Sequence, residues 1–536
     1  MTAAASCPQL NARSNSRDTM KASVFITLTL PVLVFGAAPT DSTQDGDLPQ
    51  SGYLPTHNLD PGLIPNWAVR WRSTYNTNEV FYAKPLVHTP PGSSSELVVT
   101  VSNQNIVRVV DGQTGKLVKA RKLDPPFLAS DTSCSDMPNT VGITGTPYID
   151  TARGTMYFFA KGYKNGASSG GLSKGQYKMY VVKLPDLTDV AGFPVIMDGH
   201  QAVNDRNRTF TGGVALQRPG LVSIGDSIIA GFGSHCDFFN YTGMVLSISK
   251  TTGAVNTLYA LMSGHGTRGA AVWQSGMALA ADGNRVFFAT GNGFGGGVNR
   301  NGKPASGKAP ISTLQESVVS LAVGSGGTLG FLDYFQPTDY ESLDSHDQDL
   351  GVSGVSLLDS TVFKTRQGSS IAVVGGKSGK VYLLDANDLG GFGNAPGGGD
   401  KVLQTIQTAS VSGVASYPRE GGYVYFVSAN GPLSCYKYSA TNASGTYLAF
   451  AGQSKGTYKG RVVPTITSLG GKAGTGVVWF TDPAVGLVAH HAVPVNGKLQ
   501  EIPLPTTGRV TKMHRPVFGN GRVYTTIGNT VIGVGP

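Results

Sequence analysis

Polar side chains that can bind anions or exchange protons recur just before the repeated apolar segments of this chain. They are Arg218, Arg268, Gln274, Arg461, His514 and Arg515, with His235 and Lys377 in neighbouring turns. A guanidinium group forms paired hydrogen bonds with a planar anion. Several such groups around one pocket therefore favour an anionic or phenolic small-molecule ligand. The competing interpretation is that each side chain joins its own repeat to the next.

A second set of residues carries oxygen atoms that could converge on a metal ion. These residues fall near predicted strand ends in adjacent repeats: Asp237, Asn292 and Glu316. Carboxylate and amide oxygens are the ligands that Ca²⁺ prefers, so these three are candidate calcium ligands. The nearby acidic cluster at Asp344, Asp347 and Asp349 lacks the glycine and the distant glutamate of an EF-hand loop. We interpret that cluster mainly as a turn-capping element, and no spacing identifies a catalytic residue.

The elements that must position these residues are short strands. From Arg218 to Val255, three apolar runs rich in Val and Ile are separated by Gly-Asp and by a loop carrying Cys236. Four such strands form one propeller blade, which cannot bury both faces alone. Equivalent segments recur along the chain, and they predict an all-β propeller of about eight four-stranded blades, with seven blades as the alternative.

The two ends of the repeat array predict how the propeller closes. One strand-like segment, Trp67–Trp71, has no partner nearby in sequence, and the last repeat stops one strand short at Pro536. Pairing of the N-terminal and C-terminal strands in one blade would account for both ends and remove the exposed edges.

Composition narrows the functional classes. The chain has 536 residues, 73 glycines and only 14% charged residues, which is typical of an all-β protein with many turns. The formal net charge of +9 is spread thinly, without a run of five or more Lys or Arg, and gives nucleic-acid binding no support. We expect a monomer with a small-molecule ligand, no nucleic-acid partner and no membrane span.

The N-terminal residues predict export. Residues 1–36 have the pattern of a pre-sequence whose secretory signal starts near Met20, with a type II membrane anchor as the alternative. A polar leader (37–62) and one propeller domain (63–536) follow. An extracellular location agrees with a predicted disulfide between Cys134 and Cys236. It also agrees with three glycosylation sequons in predicted loops, at Asn207, Asn240 and Asn442.

Several motifs resemble the repeats of the pyrroloquinoline-quinone-type, or quinoprotein alcohol dehydrogenase-like, propeller family. They are the Asp-x-x-Thr-Gly-Lys turn at Asp111–Lys116, the stretch Gly376–Gly391, the segment Asp347–Gly351, and the WQSG and ATGNG pair. The resemblance covers roughly residues 62–536. It implies eight blades, with a quinone and Ca²⁺ in the axial funnel. Trp273 is then the best candidate to stack on the quinone, although packing between blades is the competing role.

The chain departs from that family at one point. It has no Cys-Cys pair, whereas the family's dehydrogenases stack the quinone on adjacent disulfide-bonded cysteines. Three functions therefore stay open. The first is a quinoprotein-like oxidoreductase acting on an alcohol or related small metabolite. The second is a non-redox pocket enzyme (isomerase, lyase or cyclase) without these cofactors, and the third is a non-catalytic binding or scaffold propeller.

Overall fold

A computed structural model of the chain describes residues 40–264, 266–295, 313–440, 445–511 and 513–536. Ala38–Pro536 form one compact unit. The predicted pre-sequence and the sequon at Asn442 lie outside the described residues. The unit is an eight-bladed β-propeller, as the repeats predict.

Each blade is an antiparallel sheet whose strands follow one another in sequence from the axis outwards. Blade 1 contains Leu86–His88, Leu97–Val101, Ile106–Asp111 and Leu117–Lys122. Blade 2 contains Tyr148–Asp150, Thr155–Tyr163, Gly175–Lys183 and Val195–Ile196. Blade 3 contains Val222–Ile224, Ser227–Phe232, Met244–Ser249 and Val255–Ala260. Blade 4 contains Ala280–Asp282, Arg285–Ala289, Val318–Val323 and Leu329–Phe335.

The second half of the ring continues the pattern in blade 5, with exceptions in blades 6, 7 and 8. Blade 5 contains Val355–Leu357, Ile371–Val374, Lys380–Asp385 and Gln404–Gln407. Blade 6 contains Ala415–Tyr417, Tyr423–Val427, Gly431–Tyr438 and Leu448–Tyr458, and gains Lys498–Leu499 at its outer edge. Blade 7 has only Thr465–Thr467, Val477–Asp482 and Gly486–His491 from its own repeat. Blade 8 contains Val517–Phe518, Val523–Ile527 and Thr530–Gly535.

The ring closes as predicted from the chain ends. Ala68–Thr74 pairs antiparallel with Thr530–Gly535 and becomes the outer strand of blade 8. Two aromatic contacts secure this junction: Trp67 stacks on Trp479 with centroids 6.1 Å apart, and Trp71 stacks on Tyr524 at 5.7 Å. Both N-terminal tryptophans therefore serve closure.

Hydrophobic clusters lie between consecutive blades all round the ring. The alternation of side chains along each strand sends neighbouring residues to opposite blades. In blade 2, Tyr157 and Phe159 pack toward blade 3, whereas Met156 and Phe158 pack toward blade 1. The same alternation produces eight inter-blade clusters among the described residues, so each blade is stable only between two neighbours.

Residues Asp41–His57, here called the inner leader, follow the first strands of the blades around the axis. Its carbonyl groups accept backbone N–H groups at 2.7–3.0 Å from six blades, at Val87, Ile149, Ala281, Leu357, Ser416 and Ile466. Within the inner leader, Tyr53–Leu54 is the parallel innermost strand of blade 7 and its fourth strand. His57 Nε2 lies 3.1 Å from the Phe518 carbonyl oxygen of blade 8. The inner leader thus satisfies sheet edges that face the axis.

Two buried ion pairs fix the inner leader to the ring. Lys84 Nζ of the first repeat lies 2.5 Å from Asp41 Oδ1. The guanidinium of Arg515 pairs with the Asp45 carboxylate, and both side chains are fully buried. Sequence analysis predicts only a polar leader here and misses these contacts.

Helical structure is sparse. Among the described residues the one α-helix is Tyr340–Ser345. Short 3-10 turns are found at Ile64–Asn66, Ala129–Thr132, Lys164–Gly166, Leu172–Lys174, Gln274–Gly276, Ser325–Gly327 and Leu350–Val352. Two small hairpin-like pairs, Phe127–Leu128 with Thr140–Val141 and Thr267–Gly269 with Gly293–Gly295, lie between blades. In the described part of the chain no helix is long and apolar enough to cross a membrane.

Candidate functional site

A cavity of about 450 Å³ opens where segments from most of the blades converge. Its lining comes from residues just before the first strands and from loops between the second and third strands. These are the positions that meet at one end of a propeller axis. The lining includes Met137, Arg218, His235, Asp237, Trp273, Asp347, Asp349, Lys377, Arg461 and Met513.

The indole of Trp273 forms part of the cavity wall. It lies against two glycines: a Cβ placed on Gly233 would fall 2.9 Å from its six-membered ring, and one on Gly291 would fall 3.3 Å from Cδ1. Both glycines therefore leave room for the flat indole. Trp273 is only half-buried and also packs against a small apolar cluster around Met137 and Leu216. It thus has an inter-blade contact and a face open to a ligand.

The predicted disulfide is present in the same wall. Cys134 and Cys236 are bonded across 102 residues, with their Cα atoms 5.7 Å apart, and both line the cavity. The bond joins the loop after blade 1 to a loop of blade 3 and spans blade 2. These sulfur atoms lie with Asp136 within 4.8 Å of one another. Because both sulfurs are bonded in the disulfide, they are not thiolate ligands for a metal.

Removing this disulfide is expected to destabilise the protein. Cross-linking residues this far apart restricts the unfolded chain, so the double substitution Cys134→Ala/Cys236→Ala should lower the free energy of unfolding by about 2–4 kcal/mol. Denaturant titration with and without reductant measures the effect. Reductant should destabilise the natural chain and leave the double variant unchanged. Of the two cysteines that remain, Cys435 is a buried free thiol and Cys7 lies in the predicted pre-sequence. Equal stabilities would contradict the prediction.

A cluster of oxygen atoms borders the cavity next to Trp273. The Asp349 carboxylate accepts the Asn292 backbone N–H at 3.0 Å, and the Glu316 carboxylate accepts the Leu350 N–H at 2.6 Å. Lys377 Nζ lies 2.5 Å from Asp349 Oδ2 and 2.8 Å from Asp347 Oδ1. In contrast, Glu316 Oε1 and Asn292 Oδ1 are buried and have no hydrogen-bond donor among the described residues.

Among the described residues, negative charge predominates in this cluster. The carboxylates of Glu316, Asp347 and Asp349 lie near those of Asp344 and Asp237, with the Lys377 ammonium among them. Burial raises the pKa of Glu316 well above its usual range, and the nearby Asp349 raises it further. Burial likewise raises the pKa of Asp349, against the opposing effect of Lys377. The two undonated oxygens, of Glu316 and Asn292, are of the chemical type that Ca²⁺ binds.

The candidate residues from the sequence separate into two groups. Arg218, Trp273, Lys377, Arg461 and Asp237 line the cavity. Asn292 and Glu316 are buried beside it. The Asp237 carboxylate accepts a hydrogen bond from the Tyr241 hydroxyl, and burial raises the pKa of Asp237.

The other candidates do not line this cavity. Arg268 lies over the Phe294 ring with 5.0 Å to the centroid. The amide of Gln274 donates to the Met277 and Ala278 carbonyls at 3.0 and 3.1 Å and accepts the Ala289 N–H at 2.9 Å. His514 is buried against Thr526, and Arg515 binds Asp45. These four side chains contact other parts of the protein and not the cavity; Gln274 and His514 do so within their own repeat.

Acid should destabilise the protein through His514. Burial lowers the pKa of this imidazole to about 3, whereas an unfolded histidine titrates near 6.5. The unfolded state therefore binds one more proton between these values. The contribution of the neutral, buried His514 imidazole to the free energy of unfolding is complete above pH 6.5. It falls by about 1.4 kcal/mol per pH unit as the pH drops toward 3.

Denaturant titrations between pH 7 and 4.5 test this linkage. His514→Gln should show a free energy of unfolding that depends less steeply on pH than that of the natural chain, whatever its stability at pH 7. His346→Gln is the control, because His346 is exposed in the folded state. Parallel curves for His514→Gln and the natural chain would refute the assignment.

Comparisons with known proteins agree on the architecture. The chain superposes on a quinohemoprotein alcohol dehydrogenase from Comamonas testosteroni with a TM-score of 0.59, at 14% identity, covering 93% of this chain and 80% of that one. Alcohol dehydrogenase ADHIIG from Pseudomonas putida HK5 gives a TM-score of 0.59 at 11% identity, with the same coverages. The fold is that of the quinoprotein alcohol dehydrogenases. No family model and no curated protein sequence matches the chain.

Sequence reasoning missed one buried group that contacts the cavity wall at His235. The fully buried amine of Lys161 donates to the carbonyls of Gly213 and Ala215, each at 2.8 Å, and lies 2.7 Å from His235 Nε2. A lysine inside the apolar run Thr155–Tyr163 was the available signal, because strand interiors rarely hold an ammonium group.

Two predicted glycosylation sites can be placed on the propeller. Asn207 and Asn240 are both exposed, and both border a second, smaller cavity of about 240 Å³ on blade 3. Exposure is what a glycan requires, so both sequons stay predicted acceptors.

Proposed function

We propose that this propeller is an oxidoreductase that binds a quinone and Ca²⁺ at the axial cavity and oxidises an alcohol or related small metabolite. The observation that carries the proposal is the oxygen cluster, in which Glu316 and Asn292 each present a buried oxygen without a donor. A cation there would lie beside Lys377 and Trp273, a cationic and an aromatic group on the cavity wall. Pyrroloquinoline quinone is an aromatic, anionic molecule that these two groups suit.

Each residue then has a separate role. Asn292 and Glu316 would hold the cation through their free oxygens, and Trp273 would present its ring to the quinone. Lys377 would donate to an oxygen on the ring. A bound quinone supplies the two-electron acceptor for the alcohol carbon. The Asp349 carboxylate, which lines the cavity, would accept the hydroxyl proton of the alcohol.

The disulfide position supports an altered version of the family site. The chain has no adjacent cysteine pair, yet a disulfide between distant cysteines lines the same cavity as Trp273. Cys134–Cys236 therefore offers an apolar sulfur surface in that cavity without the vicinal pair.

The disulfide also supports an oxidising, extracellular compartment for the protein. The signal-like segment near Met20 and the exposed sequons agree with secretion. Mass spectrometry of the protein released by expressing cells tests this: a mature N-terminus near Ala37 and glycan at Asn207 are expected. A cell-retained, unprocessed chain would refute secretion.

Binding of the cofactors is the direct test of function. Purified protein is titrated with pyrroloquinoline quinone in the presence and absence of Ca²⁺, and the melting temperature and absorbance are followed. Ligand at a hundredfold excess over its Kd should stabilise the native state by about 2.7 kcal/mol. We expect stabilisation that depends on Ca²⁺, followed by alcohol-dependent reduction of an artificial electron acceptor.

Two variants make the result specific. Glu316→Gln should remove the Ca²⁺ dependence, because it replaces the buried carboxylate by a neutral amide. Glu341→Gln, on the surface helix, should leave the dependence intact. Absence of any shift at high quinone and Ca²⁺ concentrations would overturn the redox proposal.

A further inference from the structure

The Arg218 guanidinium in the cavity wall is a cation without a salt-bridge partner among the described residues. The guanidinium lines the cavity, and its hydrogen-bond partners among the described residues are two thioethers: Met137 Sδ at 3.6 Å and Met513 Sδ at 3.3 Å. Sulfur is a weak acceptor. Asp136 attracts the guanidinium from a distance, but no carboxylate forms a salt bridge with it in the described part of the chain.

Arg218 also lies near an aromatic ring. Its guanidinium carbon lies 5.7 Å from the centroid of the Tyr82 ring. Burial lowers the pKa of Arg218 from its ordinary value, which reflects loss of water around the charge. An arginine is charged at any physiological pH. A desolvated charge is costly unless it is paired, so this position favours an anion from outside the chain.

His235 adds a second polar group to the same cavity. Its Nε2 faces Lys161, and its ring stacks on Phe127 at 6.4 Å between centroids. No protein group bonds to Nδ1 in the described residues, although the residue lines the cavity. When the Lys161 amine donates a hydrogen bond to Nε2, the neutral His235 imidazole carries its own hydrogen on Nδ1. The Nδ1–H group is therefore available to an acceptor oxygen in the cavity.

The Arg218 wall and the oxygen cluster come from different parts of the ring. Asp347, Asp349 and Lys377 belong to the segment around blades 4 and 5, whereas Arg218 and His235 belong to blade 3, where Asp237 also lines the cavity. A ligand that spans the cavity would meet the proposed cation site and Arg218 at different points.

We propose that Arg218, with His235, forms a carboxylate-binding subsite, and that the substrate is a small alcohol carrying a carboxylate group. The substrate class rests on the proposed redox function, whereas the anion subsite itself does not. A planar carboxylate matches the paired N–H groups of a guanidinium. The hydroxyl end of the same molecule would reach Asp349.

The test compares two probes that differ only in charge at one end. Calorimetry measures the binding of 4-(hydroxymethyl)benzoate and of its neutral amide, 4-(hydroxymethyl)benzamide, to the purified full-length protein. We expect the carboxylate to bind at least about tenfold more tightly, which corresponds to roughly 1.4 kcal/mol. Equal affinities would overturn the proposal.

Three variants locate the effect. Arg218→Gln should remove the preference for the carboxylate, and Arg218→Lys should retain part of it, because the charge stays but the paired geometry is lost. Arg206→Gln is the control, because Arg206 is exposed and does not line the cavity. A preference that survives Arg218→Gln in a protein with an unchanged melting temperature would also overturn the proposal. If Arg218→Gln unfolds, Arg218→Lys decides: a reduced preference supports the subsite, and an unchanged preference overturns it.

Loading with quinone separates the two possible sources of the carboxylate. If the preference persists in protein saturated with pyrroloquinoline quinone and Ca²⁺, the subsite takes the carboxylate of the substrate. If loading abolishes the preference, the subsite holds a carboxylate of the quinone, and the substrate class is refuted. A chain that binds no quinone yet prefers the carboxylate would refute the redox function and leave the anion subsite standing.

Discussion

Replacing Arg515 by methionine is expected to lower the free energy of unfolding by about 3–5 kcal/mol. Arg515 of blade 8 pairs with Asp45 of the inner leader, and the side chains are each only 1% exposed. Methionine keeps most of the apolar stem but leaves the Asp45 carboxylate buried without a cation. Chemical denaturation, followed by tryptophan fluorescence, measures the loss.

A surface pair is the control for this effect. Arg121 and Asp189 pair at 2.7 Å but are 28% and 35% exposed. Arg121→Met should therefore cost less than about 1 kcal/mol. The double variant Asp45→Leu/Arg515→Met should be more stable than Arg515→Met alone, because it removes the unpaired charge. If Arg515→Met and Arg121→Met were equally stable, the pair would not anchor the inner leader.

The second large effect concerns activity. Asp349→Asn should reduce quinone-dependent alcohol oxidation by about 10²- to 10⁴-fold, the usual contribution of a positioned base. The amide oxygen can still accept the Asn292 N–H that Asp349 Oδ1 now accepts. The substitution therefore removes a charge and a proton acceptor with little change in shape. Steady-state kinetics with an artificial electron acceptor measures kcat and KM.

Asp347→Asn is the matched control on the same segment. Both carboxylates contact Lys377, but the Asp347 side chain is 68% exposed and that of Asp349 only 6%. Asp347→Asn should keep activity within a few-fold of the natural chain. Comparable losses in the two variants, or full activity in Asp349→Asn, would exclude Asp349 as the base.

The fold was predictable because its signal is repeated. Each blade contributes the same apolar alternation, and eight copies make the pattern visible without any single strand being decisive. The closure of the ring was predictable from the number of strands, because the segment at Trp67–Trp71 and the short last repeat each lacked a partner strand.

The cavity was only partly predictable, and position explains the difference. Arg218, Arg461 and Met513 each lie four residues before the first strand of their blade, and all three line the cavity. His514 and Arg515 follow Met513 directly, and their side chains are buried within the fold instead. A shift of one or two residues along the chain thus separates a side chain that lines the cavity from one that is buried within the fold.

The inner leader could not be predicted from its composition. Its burial depends on backbone hydrogen bonds to six different sheets, and such bonds leave no apolar pattern in the sequence. Its partners are also remote: Asp41 accepts the N–H of Phe518, 477 residues away. Only the assembled ring brings these groups together.

This distance in sequence determines when the inner leader can complete its contacts during biosynthesis. The inner leader leaves the ribosome before any blade, but its last partner is made 477 residues later. At ordinary translation speeds this is a delay of roughly 25 to 95 seconds. Throughout that interval the segment must wait without its final contacts, while the earlier blades form behind it. Its docking is therefore the event that marks a completed ring. A nascent chain truncated before blade 8 should leave this segment open to proteases, and the full-length protein should protect it.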